Sequence, residues 1–591
     1  MASIARPRTR RLTIIAQDPG VKVDGRILTA EIDIPAEEIA PGPRGYRVQV
    51  VDYDTTTGTL YMPLEYEPLQ DDGQYPDPFK REAARANNEN LVSDPHFHQQ
   101  NVYAIVMRTL ARFEFALGRR ISWGFAGHQI NVAPHAFADA NAFYSENDQA
   151  LVFGYFRGGS GKTVYSCLSH DVVAHETTHA LLDGLRERYT DPSSPEQAGF
   201  HEGFADVVAL LSVFSLKDIV STLLDFRRPK GKKLPDDLID PKELTPDKLR
   251  NSVLLGLADQ MGKEMSGVRG DRSDALRRSV NLPPLKSKDD QNKYAEQEEF
   301  QEPHRRGEIL VAAMMNAFME VWLKRINKLE KGRSPGSKLD RQLVAEEGAN
   351  AANQLLTMAI RALDYSPPTD LQFRDYLSAL ITADKEVAPD DSKYGYRTII
   401  LNSFANYGIF PHSNAYTGDG SWRLADNDEL TYDRSHFESM LRDPDEVFRF
   451  VWENREALKV FEEAYTKVIS VRPCLRLGPD GFTLRETVAE YIQMMTLRAD
   501  EVSMLGIGIP DGMAPDQEIT LYGGGTLIFD EYCKLKYHVR NRILNTNCQT
   551  PRLKYLWEQG YFDDSGLTEN AFARLHLQRS LNLRSSTAEE F

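Results

Sequence analysis

Between residues 97 and 117 the apolar side chains Val102, Ile105, Val106, Leu110, Phe113 and Leu117 return at steps of three and four. That period predicts an amphipathic helix with one buried face. Upstream the rhythm is shorter: residues 11–65 alternate β-prone runs with Pro, Gly and Asp punctuation, which predicts small antiparallel structure. The run 150–156 is a strand candidate, and Ser169 is a candidate N-cap for a helix from 171 to about 188, followed by a second helix over about 198–214. A charged, Pro-punctuated stretch at 227–303 comes next, and helical patterns resume at 309–326, 344–363 and 373–383 before ending near Pro411. Beyond it the pattern changes to a helical stretch at 443–467, strand-like segments at 468–476, 518–521, 526–529 and 535–539, and a last helical run.

At 591 residues the chain is too long for one core, and roughly 100–200 residues per domain suggests three or four units. The pattern divides it into a β-rich unit at 1–85, a second at 86–170, a helical one at 171–412 and a C-terminal α/β unit at 413–591. The last is expected to fold apart from the rest, with an unassigned role that includes docking a protein partner. A net charge of −17, from 87 acidic and 70 basic residues, argues against general affinity for nucleic acid or anionic membranes. The basic run from Arg227 to Lys233 reads as a solvated loop. No window approaches the ~18–20 apolar residues that span a bilayer, and the apolar stretch after the basic N-terminus is too short for a secretory signal. Four scattered cysteines form no disulfide framework, so a reducing, cytoplasmic location is expected.

Within the helix at 171–188, His175-Glu176-Thr177-Thr178-His179 sets two imidazoles four residues apart, one turn above the other, with a carboxylate between. Such a pair grips one ion, and zinc accepts imidazole nitrogen and carboxylate oxygen while leaving a position for water. The next helix carries Glu202 and Asp206, again four apart. One carboxylate can complete a two-histidine site while the other holds a ligand imidazole in place. Val172, one turn before Glu176, is a candidate pocket wall.

Positions 171–180 followed by 202–206 resemble the thermolysin-type gluzincins, and the resemblance spans about residues 90–412. It implies an α+β, thermolysin-like two-lobed zincin, with a β-containing N-terminal lobe, a helical C-terminal lobe and the C-terminal α/β unit as an addition. It further implies a zinc endopeptidase acting on peptides or proteins, one zinc per chain held by His175, His179 and Glu202, with Glu176 as general base. Asp206 then orients a ligand imidazole. Asn141 and Ala142 resemble the edge segment that binds extended peptide. Glu302-Pro303-His304 resembles the segment whose histidine donates to the oxyanion, and Tyr189 resembles that histidine's tyrosine partner. Where the family's secreted members carry an acidic calcium cluster, positions 207–216 are apolar save Ser212 and Ser215, which argues against structural calcium.

The alternative reading is a zinc-containing scaffold that captures peptide without cleaving it. The stretch 227–303 is read as a lid over the cleft. Gly158 to Thr163 imitates a phosphate loop but has Phe156 where a glycine is required and Val164-Tyr165 where a helix should start, so nucleotide binding is set aside. Gly523, Gly524 and Gly525 are read as a bulge or close strand approach. His201 is assigned no role because it precedes a ligand, Asp183 is a structural or functional acceptor, and His96, His98 and Cys167 are packing residues.

Overall fold

The computed structural model describes residues 7–562 apart from 24, 160, 192, 225–237, 251–278, 286–292, 332–336 and 412–417. Most of the stretch read as a lid, and the basic run from Arg227 to Lys233, therefore lie outside the described residues. Helices and strands mix in the α+β manner.

The first part is built round helix α1 (Pro95–Leu117). Asp94 caps it by accepting from the His96 N–H, Pro95 fits the first turn, and Gly118 ends it at φ 68°, a left-handed conformation that favours glycine. All six periodic apolar residues are buried. The polar side is buried too, because Gln99, Gln100 and Asn101 bond to the backbones at Leu64, Thr13, Ile15 and Cys167. One helix thus satisfies three separate stretches of chain.

Strands β1 (Thr9–Ile15) and β2 (Thr29–Pro35) pair antiparallel, as the alternation predicts. A mixed sheet then joins β3 (Val48–Val50), β4 (Ile130–Phe137), β5 (Ala142–Ser145), β6 (Ala150–Arg157) and β7 (Thr163–Tyr165). Val48 and Val50 run parallel to Ile130 and Val132, so a single sheet spans residue 85. Strands β6 and β7 form a hairpin, with Tyr155 opposite Tyr165 and the Gly158 N–H donating to the Lys162 carbonyl.

The second part consists of helices α2 (His170–Leu185), α3 (Pro195–Phe214), α4 (Pro303–Glu330), α5 (Arg341–Arg361), α6 (Phe373–Val387) and α7 (Tyr396–Ala405). Among the described residues no helix is long and apolar enough to cross a membrane. Helices α3 and α4 meet backbone to backbone: a Cβ on Gly307 would lie 2.8 Å from both the Gly199 carbonyl oxygen and the Gly203 nitrogen. Alanine in an exposed helix interior is favoured over glycine by about 0.8–1.0 kcal/mol. Gly307→Ala should instead lose about 1–3 kcal/mol, because the two helices must part. Urea unfolding checks this, and a neutral or stabilising result would show that the contact does not constrain the pair.

Strands β8 (Tyr465–Leu477), β9 (Thr483–Arg498), β10 (Glu518–Phe529) and β11 (Leu535–Asn541) form an antiparallel meander in chain order. Gly523, Gly524 and Gly525 mark close approaches, since a Cβ on Gly524 would come within 2.3 Å of the Tyr491 carbonyl oxygen. The sheet shares the main core, to which it contributes Cys474, Val488, Ile528, Tyr537 and Val539. Its contact with the helices is also ionic. Arg119 and Arg476 both bind Asp364, Arg476 also binds Glu486, and Arg186 at the end of α2 lies 2.5 Å from Glu490. All of these side chains are buried.

Candidate metal centre

Helix α2 begins where β1 ends. The Ser169 hydroxyl at the N-cap position donates to Asp18 rather than to the helix, and the His170 N–H donates to the Gln17 carbonyl. Thr177 and Thr178, buried within α2, return their hydroxyls to the carbonyls of Val173 and Ala174, which disposes of both at no packing cost.

One turn apart on α2, the rings of His175 and His179 stand perpendicular with centroids 4.3 Å apart. Glu202 comes to them from α3, and ligand atoms of the three residues all lie within 4.8 Å of one another. The carboxylate oxygens of Glu202 are 3.6 Å from His175 Nε2 and 3.7 Å from His179 Nε2. These separations exceed a hydrogen bond and approach the roughly 3.3 Å between neighbouring ligands round a tetrahedral zinc. Asp206 supplies the decisive constraint. Its Oδ1 lies 2.7 Å from His175 Nδ1 and takes the hydrogen there, so His175 Nε2 turns a lone pair toward a carboxylate. Imidazole and carboxylate groups converging in this way are the donor set that zinc accepts. The donor set therefore fits a zinc ion, and Glu176, the residue after His175, is buried on the same helix.

His304 reaches the same place from the first turn of α4, with Nε2 3.2 Å from Glu202 Oε2. Its approach depends on Gly203 and Gly307, because Gly203 follows Glu202 and the close helix contact draws the start of α4 inward. Glu302, unassigned from sequence, does two jobs. One oxygen caps α4 by accepting from the Arg305 N–H, and the other lies 2.6 Å from His304 Nδ1. Burial raises the Glu302 carboxyl, but the His304 bond outweighs it and the pKa is lowered overall. An acid two residues before a histidine at a helix start was the available signal.

Tyr189, expected as the partner of His304, is fully buried, and its hydroxyl donates to the Pro367 carbonyl at 2.6 Å. His201, expected to point away, instead lays its ring flat on His179 with centroids 4.6 Å apart and planes at 12°. Successive positions on a helix differ by about 100°, and α3 crosses α2 closely enough for both Glu202 and its neighbour to reach it. Val172 is buried one turn before Glu176. Ala142 opens β5, which pairs with β6 on one side and, among the described residues, with no strand on the other. Asn141 uses its carbonyl to accept from the Gly154 N–H and its side-chain oxygen to accept from the Ala142 N–H.

Strand β5 is tied to α2 through the Tyr144 hydroxyl, which donates to Asp183 at 2.6 Å. Burial pushes the Asp183 carboxyl up to about 6, even against that hydrogen bond. A raised folded-state pKa means that its stabilising contribution is full below the ordinary 3.8 and is lost as pH rises through about 6. Asp183→Asn removes the ionisation and keeps an acceptor for Tyr144. Its stability relative to the parent should therefore improve from pH 4.5 to pH 7.5, by about 2 kcal/mol, since each tenfold change in proton affinity is worth ~1.4 kcal/mol and part of the effect is already spent at pH 4.5. Urea midpoints of both proteins at the two pH values measure this, and parallel pH dependence would refute it.

Residues 76–183 match the sequence model of the thermolysin metallopeptidase catalytic domain. The matched segment contains α1, β4 to β7, and α2 as far as Asp183. Glu202, Asp206 and His304 lie beyond it. No curated protein matches the chain.

Proposed function

We propose, from the match of residues 76–183 to the thermolysin metallopeptidase catalytic domain, that this chain is a zinc-dependent endopeptidase with one catalytic zinc. The observation that carries the reading is the convergence of His175, His179 and Glu202 within 4.8 Å, with Glu176 buried on the same helix. The catalytic unit has two lobes, the sheet with α1 and the helices from α3 onward, and α2 forms the floor between them.

Zinc, when bound by His175, His179 and Glu202, supplies a Lewis acid that polarises the scissile carbonyl and lowers the pKa of water towards ~7. Asp206 fixes the His175 tautomer so that Nε2 is the ligating nitrogen. Glu176 takes the proton of the attacking water and passes it to the leaving amine, so no covalent acyl-enzyme forms. Glu302 at Nδ1 of His304 favours the protonated ring, whose Nε2–H then donates to the oxyanion. The substrate enters extended, adding a strand to the open edge of β5 beside Asn141 and Ala142. Val172 lines an apolar pocket beside the scissile bond. Such a pocket discriminates by only about 1–3 kcal/mol per methylene, so a broad preference for large hydrophobic residues after the cleaved bond is expected.

The test is incubation of the full chain with a denatured protein mixture, with and without a chelator, followed by mass spectrometry of new termini. New N-termini at large apolar residues, absent with chelator, support the reading. Bound zinc with no new termini on any peptide would replace it with the peptide-binding scaffold.

A further inference from the structure

A second group of ligating side chains meets on the sheet side of the molecule. His98 comes from the first turn of α1, His135 from β4, and Cys167 from the short turn (Ser166–Leu168) that leads into α2. One ligand atom from each lies within 4.8 Å of the others, and all three residues are buried. Packing alone does not account for how these groups point. His98 Nδ1 faces His135 Nε2 at 2.7 Å, while the outer nitrogens are both engaged. His98 Nε2 lies 2.9 Å from the Val92 carbonyl, and His135 Nδ1 lies 2.8 Å from Asp52 Oδ1. Gln99 holds the other Asp52 oxygen by donating to it at 3.0 Å.

The protons on these rings are fixed by their outer partners. A carbonyl only accepts, so His98 carries its hydrogen on Nε2, and the Asp52 carboxylate likewise calls for the hydrogen of His135 on Nδ1. The two inner nitrogens then face each other as lone pairs, and something positive must lie between them. A carbonyl or carboxylate behind each imidazole is the support that metal-ligating histidines characteristically have.

We propose that His98, His135 and Cys167 form a second metal-binding site, for a divalent ion of zinc type, separate from the peptidase centre and independent of the function assigned to it. A thiolate with two imidazoles suits zinc, and the charges close: a dication is balanced by the Cys167 thiolate and the Asp52 carboxylate, as burial requires. The competing occupant is a single proton shared by the two rings. It leaves the convergence of the buried Cys167 on the same point unexplained. Ligation would open the nitrogen pair from 2.7 Å to roughly 3.3 Å. The ion would join α1, β4 and the entrance to α2, three segments that are distant in sequence.

Cobalt(II) exchanged for zinc in the full chain tests the assignment, because thiolate on cobalt absorbs in the near ultraviolet by charge transfer and His175, His179 and Glu202 contribute no sulfur. The band is expected in the parent and in His179→Ala, absent from Cys167→Ser and weakened in His98→Gln. Elemental analysis should give two zinc ions per parent chain and one in Cys167→Ser. A parent with one zinc per chain and no thiolate band overturns the proposal, as does a band that survives Cys167→Ser. Should Cys167→Ser fail to fold, the spectra of the parent and of His179→Ala still decide.

Discussion

A Glu176→Gln protein should keep its zinc and lose its peptidase activity, with turnover down at least the ~10²–10⁴-fold that positioned acid–base groups contribute. The substitution preserves side-chain shape, leaves His175, His179 and Glu202 in place and removes only the base. His175→Ala, His179→Ala and Glu202→Ala should behave differently and shed zinc, because two protein ligands do not make the site. Zinc content and peptide turnover measured on the same preparations separate the two classes. A Glu176→Gln protein as active as the parent would remove the general base from the mechanism, and one that lost zinc would make Glu176 a structural residue.

Asp364→Ala should destabilise the protein by about 3–5 kcal/mol at neutral pH, the usual result of leaving buried charge without its partner. Arg119 donates to Asp364 through both terminal nitrogens, at 2.5 and 2.7 Å, and Arg476 reaches the same carboxylate at 2.5 Å from strand β8. Burial raises the Asp364 carboxyl, but the two arginines overcome it and hold the carboxyl far below its ordinary 3.8. A lowered folded-state pKa gives stability that is present above the ordinary value and lost only as pH falls through the lowered one. The gap between parent and variant should therefore persist through mild acid and close only in strong acid. Urea unfolding at pH 7 and pH 4 measures both, and a loss below about 1 kcal/mol would show that the pair is worth no more than a surface one. Deleting residues 413–591 removes Arg476 and Glu490 together. A protein ending at residue 412 is accordingly expected to aggregate, although the change in composition after Pro411 suggested an independent unit.

The centre was legible because its groups repeat at helical spacing: His175 with His179, and Glu202 with Asp206, each declare a shared face. The helix at 95–117 was legible as a period, but its polar residues were not legible as partners for strand backbones. The parallel pairing of Val48 with Ile130 left no local mark, since neither segment carries information about the other. Strand β9 went unread because it is buried on both faces and holds Glu486, Thr487, Glu490 and Gln493 inside, which breaks the two-residue alternation. Those carboxylates are tolerable only beside Arg476 and Arg186, which a linear reading cannot supply. For Tyr189, likewise, a motif position fixes where a residue starts, and the Pro367 carbonyl determines where its hydroxyl ends.

The ion pairs between the helices and the last sheet also bear on the order in which the protein is made. Arg119 and Cys474 touch across 355 positions of chain. At roughly 5–20 residues per second, the ribosome needs about 20–70 s to deliver the second after the first. For the last part of that interval, once Asp364 has been made, the emerging chain carries Arg119, Arg186 and Asp364 with Arg476 and Glu490 still unsynthesised. Strand β8 and its neighbours are thus the closing step of folding, and a chain that stops short of them leaves its core charges exposed to whatever holds nascent polypeptides.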